Sequence, residues 1–293
     1  MLSFKKETIA QMAYLQRLLM KVYVVLTVPL SIIFILNSKL IHKSYNMTFF
    51  KKMSLGLRMF INTILIPRGT SFKSHLCMGL KILETPPDIP GDIIECGTWK
   101  GGSAVNLSLV CKIVGRRLKI YDSFEGLPEG KPGDREAKYY KKGDYCGTEE
   151  EVRLNLTKYG AIECCEIIKG WFEDTLPMLD YPVLLAFFDV DLEASLDSCV
   201  RYIWPNLVES GYIFIDECVG VDYCSLFYSE RWWDKYFNKK PPGLIGAGIG
   251  LAVGEYYIGP HSEIDSHPMQ HANAGAYTRK DMSGYWSYFP DES

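Results

Sequence analysis

Two acidic clusters follow apolar runs in this sequence. Asp189-Val190-Asp191 follows Val183–Phe188, and Asp216-Glu217 follows Tyr212–Ile215. Short apolar runs rich in Val, Ile and Phe read as buried strands. Acids directly after them sit at the carboxyl ends of those strands, where open α/β sheets hold their ligands. Asp189 and Asp216 are 27 positions apart, the length of one helix and one strand. Asp189, Asp216 and Glu217 are therefore candidates to converge on one hard cation such as Mg²⁺, with waters completing an octahedron. Such a cation binds a hydroxyl and lowers its pKa. Asp189 is also a candidate to take the proton. The competing reading of these acids is a set of solvated caps.

A second constellation is Glu95-Cys96-Gly97-Thr98-Trp99-Lys100-Gly101-Gly102-Ser103. It follows the strand-like Ile93-Ile94-Glu95 and opens a helix over Ser103–Val114, with the Ser103 hydroxyl as a candidate cap. Glycines let the backbone approach a ligand. The helix N-terminus suits a carboxylate or phosphate. Trp99 and Lys100 stand where a pyrophosphate turn would need glycine, so the G-x-x-x-G spacing fits an amino-acid carboxylate better than a dinucleotide. Glu95 at the strand end suits an ammonium. Carboxylate and ammonium together describe the methionine part of S-adenosylmethionine. Gly97, Thr98, Trp99, Gly101 and Ser103 are the candidate cradle; a structural Gly-rich turn is the bland alternative.

Asp122, in Tyr121-Asp122-Ser123, ends the next strand-like run and is placed to accept both ribose hydroxyls, with Ser123 beside it. Trp171 and Phe172 follow a third run, Glu166–Ile168, and could flank an adenine or equally belong to the core. His261, His267 and His271 read as part of a solvated tail. Trp232 and Trp233 have helical spacing and read as packing or as a pocket wall.

The elements that position these residues alternate. Strands over 93–95, 118–121, 166–168, 183–188 and 212–215 are separated by helices over 103–114, 149–159 and 195–204. Such alternation predicts a doubly wound α/β fold with a mostly parallel, seven-stranded Rossmann-like sheet. Gly243–Gly254 reads as closing antiparallel strands. Residues 125–147, rich in Gly, Lys, Tyr and Pro, read as a long lid or binding loop. The expected divisions are a basic apolar helical segment (1–83), a catalytic domain (84–260) and a polar tail (261–293).

Charge divides the chain the same way. Residues 1–83 carry twelve Lys and Arg and one acid, whereas the remainder has twenty bases and thirty-four acids. The apolar stretch within residues 18–36, flanked by bases, reads either as a buried or dimer-forming helix or as an interfacial or spanning membrane anchor, with homo-oligomer formation left open. Nine cysteines with no C-x-x-C pair argue for reduced core thiols and a cytoplasmic setting, membrane-associated or not, rather than a disulfide framework.

On Pro90–Ser103, Asp122–Pro128, Gly170–Pro177, Asp189–Asp191 and Gly211–Glu217, the sequence resembles the macrocin O-methyltransferase (TylF-type) family. The resemblance implies a class I methyltransferase fold, S-adenosylmethionine as methyl donor and a sugar hydroxyl as acceptor. It also implies Mg²⁺ at Asp189, Asp216 and the residue after it, where this chain has Glu217 and the family usually Asp. The Glu95–Ser103 run is similar to catechol O-methyltransferases too, but their Lys base corresponds to Leu192 here, which leaves Asp189 as the candidate base. The expected partner is a small-molecule or lipid-linked glycan and not a nucleic acid. The alternatives are a non-catalytic, membrane-attached nucleotide- or glycan-binding protein and a nicotinamide-dependent oxidoreductase.

Overall fold

The computed structural model describes residues 19, 22, 26, 28–33, 35–130, 140–216, 221–245 and 276–282. Five parallel strands and one antiparallel strand form the sheet: β1 (Asp92–Cys96), β2 (Leu118–Asp122), β3 (Cys165–Lys169), β4 (Val183–Phe188), β5 (Leu207–Ile215) and β6 (Ala276–Arg279). Their order is β3-β2-β1-β4-β5-β6, with only β6 antiparallel. The order reverses direction between β1 and β4, and a crevice opens there at the carboxyl ends.

Central β4 has the run Val-Leu-Leu-Ala-Phe-Phe and is buried along its whole length. Leu185 and Phe187 join the core on one face, and Ala186 and Phe188 the core on the other. This two-faced burial is why its sequence shows no polar alternation.

One face is covered by α1 (Phe49–Leu65), α2 (Phe72–Glu84), α3 (Gly102–Val114) and α4 (Glu149–Tyr159). Thr48, Ser71 and Thr148 cap α1, α2 and α4 by accepting from the backbone N–H groups of Lys51, Ser74 and Glu151. The other face is covered by the short α5 (Phe172–Thr175), α6 (Glu193–Ile203), α7 (Val221–Ser225) and α8 (Glu230–Phe237). Trp204 and Trp233 meet edge to face there, with centroids 4.6 Å apart.

The seven-stranded expectation becomes six among the described residues. Of the Gly243–Gly254 stretch, only Gly243, Leu244 and Ile245 are described, and Ile245 makes an antiparallel bridge to Tyr277. The described antiparallel edge strand is Ala276–Arg279, within the expected polar tail, and residues 246–254 of the Gly-rich stretch lie outside the described residues. Its four residues alternate, with Ala276 and Thr278 fully buried, but four are too few to carry a periodicity. His261, His267 and His271 lie outside the described residues. All eight described cysteines are free; Cys96, Cys111, Cys199 and Cys224 are core residues, while Cys146 is exposed on the 140–147 loop.

Candidate functional site

Five strand ends converge on the crevice, and the β1–α3 loop is its floor. Gly97 leaves β1 with φ of 81°, and its N–H donates to the Tyr121 carbonyl at 3.0 Å. A Cβ at Gly97 would overlap the carbonyl oxygen of Asp189. Only glycine can therefore sit between the ends of β2 and β4 at this point. Gly101, with φ of 81°, caps α3 without a side chain. Ser103 is not the cap; it lies inside the first turn of α3, and its hydroxyl faces Glu95. The first turn of a thirteen-residue helix thus opens on the crevice with no side-chain cap on its N–H groups.

Asp122 fastens this loop. Its Oδ2 accepts from the N–H of Thr98 at 2.8 Å and of Trp99 at 3.3 Å, and its Oδ1 from Phe124 N–H at 2.7 Å. Burial raises its carboxyl above the ordinary range, opposed by these three bonds. A carboxylate has about four lone-pair sites, so roughly one remains for a ligand hydroxyl. The side chain expected to take both ribose hydroxyls is thus mostly engaged in holding the two loops together. Ser123 closes the next turn, its Oγ accepting from Glu125 N–H at 3.1 Å.

Glu95 is fully buried on the α3 side of the sheet. Its Oε2 accepts from Thr98 Oγ1 at 3.0 Å, while Oε1 has no hydrogen-bond partner. Burial pushes its carboxyl up to about 8, opposed by the Ser103 and Thr98 hydroxyls and reinforced by Asp122. A buried carboxyl oxygen without a partner is costly unless a ligand completes it. An ammonium group would do so and would favour the ionised form.

Asp189 and Asp216 leave neighbouring strands at the same level. Phe188 pairs with Ile215 across β4 and β5, and Asp216 N–H donates to the Phe188 carbonyl at 3.0 Å. Asp189 is half-buried and Asp216 is buried. Among the described residues no group of three or more metal-ligating side chains forms. The third expected ligand, Glu217, lies outside the described residues. Three non-glycine residues on these loops, Trp99, Phe124 and Asp191, hold φ of 47°, 58° and 57°. Such backbone costs about 1–3 kcal/mol per residue and concentrates where ligands are bound.

Trp171 and Phe172 separate in role. Gly170 N–H donates to the Asp122 carbonyl at 3.0 Å, which brings half-buried Trp171 next to the carboxyl end of β2. Phe172 packs against the apolar core instead. On the far side, α4 grips the cradle: Asn155 donates to the Lys100 carbonyl at 2.9 Å, and Lys100 pairs with Glu151 at 3.1 Å. Tyr145 meets Trp99 edge to face at 5.6 Å. The base of the 125–147 loop is laced by Leu127 to Asp144 and Gly143 to Leu127 backbone bonds, while residues 131–139 lie outside the described residues. Trp233 is core, whereas Trp232 lines a pocket of about 240 Å³ with Glu193, Asp197 and Tyr223.

The sequence reading missed what the N-terminal segment brings to the site. The α1–α2 loop lies against it: a Cβ at Gly69 would stand 3.8 Å from Asp189 Oδ2, and one at Gly102 would be 3.0 Å from Arg68 Cβ. A buried chain of polar groups locks this segment to α3. Asn62 Nδ2 donates to Asn106 Oδ1 at 2.9 Å, and Asn106 Nδ2 donates to His75 Nδ1 at 2.8 Å. His75 Nε2 then carries the proton toward Thr70 Oγ1 at 2.6 Å. Burial, with Arg68 adding to it, lowers His75 to about 3, so the ring is neutral. The signal was present as a Pro-Arg-Gly-Thr turn between two apolar helical patterns, but nothing local tied it to a strand tip.

Comparison with known proteins bears on the family and the fold. The sequence matches the family Macrocin-O-methyltransferase (TylF) over residues 81–239, more than half of the chain. It is 31% identical over 179 residues to the 8-demethyl-8-(2,3-dimethoxy-alpha-L-rhamnosyl)-tetracenomycin-C 4'-O-methyltransferase of Streptomyces olivaceus, covering 55% of this chain and 68% of that protein. It is 29% identical to the demethyldecarbamoylnovobiocin O-methyltransferase of Streptomyces niveus, covering 49% of this chain and 62% of that one. The solved structure of the O-methyltransferase NovP superposes with a TM-score of 0.54 at 22% identity, covering 72% of this chain and 80% of that chain, and shares the fold. The chain belongs to the macrocin O-methyltransferase (TylF) family and is a class I S-adenosylmethionine-dependent O-methyltransferase.

Proposed function

We infer that the chain methylates a sugar hydroxyl on a glycosylated small molecule, with a divalent cation beside the methyl donor. The observation that carries this reading is the placement of Asp189 and Asp216 on paired strand ends, next to a cradle whose Glu95 Oε1 has no protein partner. The Streptomyces olivaceus relative is named for the 4′-oxygen of a rhamnosyl compound, which supports a sugar as acceptor here.

The chain's own residues divide the work. The open first turn of α3 meets the donor's carboxylate, and Glu95 meets its ammonium. Asp122 holds Thr98 and Trp99 in place and offers its remaining lone pair to the ribose. Trp171 stands beside the nucleoside. Asp189 and Asp216 offer hard oxygens of the kind that hold Mg²⁺, and Glu217 follows them in sequence. A cation bound there supplies Lewis acidity to the acceptor hydroxyl. Asp189 takes the hydroxyl proton as the oxygen forms its bond to the methyl carbon and the sulfonium leaves as a thioether. The carboxylates around the site also favour a cationic donor over its neutral product.

The test is transfer of labelled methyl from S-adenosylmethionine to a panel of rhamnosylated and other glycosylated acceptors, with Mg²⁺ and with EDTA. Label in a sugar ether, lost with EDTA, is the expected result. Transfer that is indifferent to EDTA removes the metal from the account, and transfer only to non-sugar hydroxyls removes the sugar.

A further inference from the structure

The described chain exposes its large apolar side chains in one place. Of the thirteen that are exposed, eleven lie between Leu19 and Leu65. They form two stripes. Among the described helical residues between Leu19 and Leu36, Leu26 and Leu30 are 70% and 67% exposed, with Ile33 continuing the line. Along α1, Phe50 is 81% exposed, and Leu57, Ile61 and Leu65 follow at helical spacing. The opposite faces of both helices are used. Val28, Ile32 and Leu36 sit in the core with Leu55 and Met59, and a Cβ at Gly56 would clash with Ile32. The two helices therefore pack closely on each other, and each keeps an apolar face turned to solvent.

The charge around these stripes has one sign. Lys39, Lys43, Lys51 and Arg58 are exposed, and no acidic residue occurs between Glu7 and Glu84. A symmetric dimer through this face would bring like charges together. An anionic bilayer offers the opposite charge and an apolar phase at the same depth. Val28, Ile32 and Leu36 are taken up by the core, so this stretch offers a bilayer one apolar face and not its whole circumference.

We propose that the outer faces of these two helices form a docking surface for an anionic lipid bilayer, on which the protein lies without crossing. The proposal does not depend on what the enzyme methylates.

Flotation of the purified full chain with vesicles tests it. Phosphatidylglycerol-rich vesicles are expected to carry the protein up, with binding that weakens as salt rises, and phosphatidylcholine vesicles are not. The combined substitution Phe50→Ser, Leu57→Ser and Ile61→Ser, at exposed positions, is expected to weaken flotation by at least about tenfold. Each of Lys39→Gln, Lys43→Gln and Lys51→Gln is expected to weaken it by up to about fivefold. An unchanged unfolding midpoint shows that the variants fold. Absence of flotation with anionic vesicles overturns the proposal. Equal flotation of wild type and the apolar triple variant overturns it as well. So does sedimentation showing a dimer that the triple variant dissociates while vesicles bind neither protein, which would assign the face to a second copy.

Discussion

The backbone N–H of Thr98 donates to the carboxylate of Asp122 at 2.8 Å, across the gap between the first two strands of the sheet. A residue that the sequence marks as a candidate for ligand binding thus clasps the loop between β1 and α3. Asp122→Asn keeps the shape but has one acceptor oxygen for three N–H donors. We expect a loss of about 1–3 kcal/mol in stability and, through loosening of the Gly97–Gly101 loop, at least about tenfold weaker S-adenosylhomocysteine binding. Chemical denaturation and calorimetry on the same preparation measure both. Weaker binding with unchanged stability would limit Asp122 to ligand contact.

Gly97 allows a second expectation. Its φ of 81° and the Asp189 carbonyl at its Cβ position both exclude a side chain. Gly97→Ala should destabilise by on the order of 1–3 kcal/mol, because backbone and not a flexible side chain must move. It should also disturb Asp189, so methyl transfer should fall further than the unfolding midpoint suggests. Thermal unfolding and single-turnover rates separate the two effects.

Glu95 makes the cradle sensitive to pH. Its carboxyl titrates near 4.5 when unfolded and near about 8 when folded, so the native protein binds the extra proton between these values. Its contribution to stability is full below 4.5 and is lost as pH rises toward about 8. Glu95→Gln should flatten that part of the stability profile. If the donor's ammonium meets this carboxylate, binding of S-adenosylhomocysteine at neutral pH should release close to one proton. Calorimetry in buffers of different ionisation enthalpy reads the release, and the Gln variant should show none.

His75 acts in the opposite sense. It titrates near 6.5 unfolded and near about 3 in the fold, so its stabilising contribution is full above 6.5 and is lost as pH falls toward about 3. The N-terminal helices should therefore loosen from α3 in mild acid. Unfolding midpoints at neutral pH and within that window should differ less for His75→Gln than for wild type. Equal slopes would remove His75 as the cause.

The elements that were legible in sequence are those whose signal is local. The apolar run Val183–Phe188 is β4 to the residue, and Thr148 with Glu151 marks the start of α4. Glu95, Asp122, Asp189 and Asp216 were legible as acids at strand ends because each stands at the end of a local apolar run. What failed depends on neighbours distant in the chain. Ala276–Arg279 is a strand because β5 offers it an edge. Phe172 packs partly buried against the core while Trp171, equally half-buried, joins no core cluster, a difference that two adjacent aromatics do not show in sequence. Asn62, Asn106 and His75 meet only once three helices are packed.

The account rests on Asp189 and Asp216 sharing one cation. Mg²⁺ titration by calorimetry, with saturating S-adenosylhomocysteine, tests this for wild type, Asp189→Asn and Asp216→Asn. We expect one site in the wild-type protein and a loss of at least about tenfold in affinity for each variant, with donor-site affinity retained in Asp216→Asn. Equal Mg²⁺ affinity in all three proteins, or none in the wild type, would contradict the account.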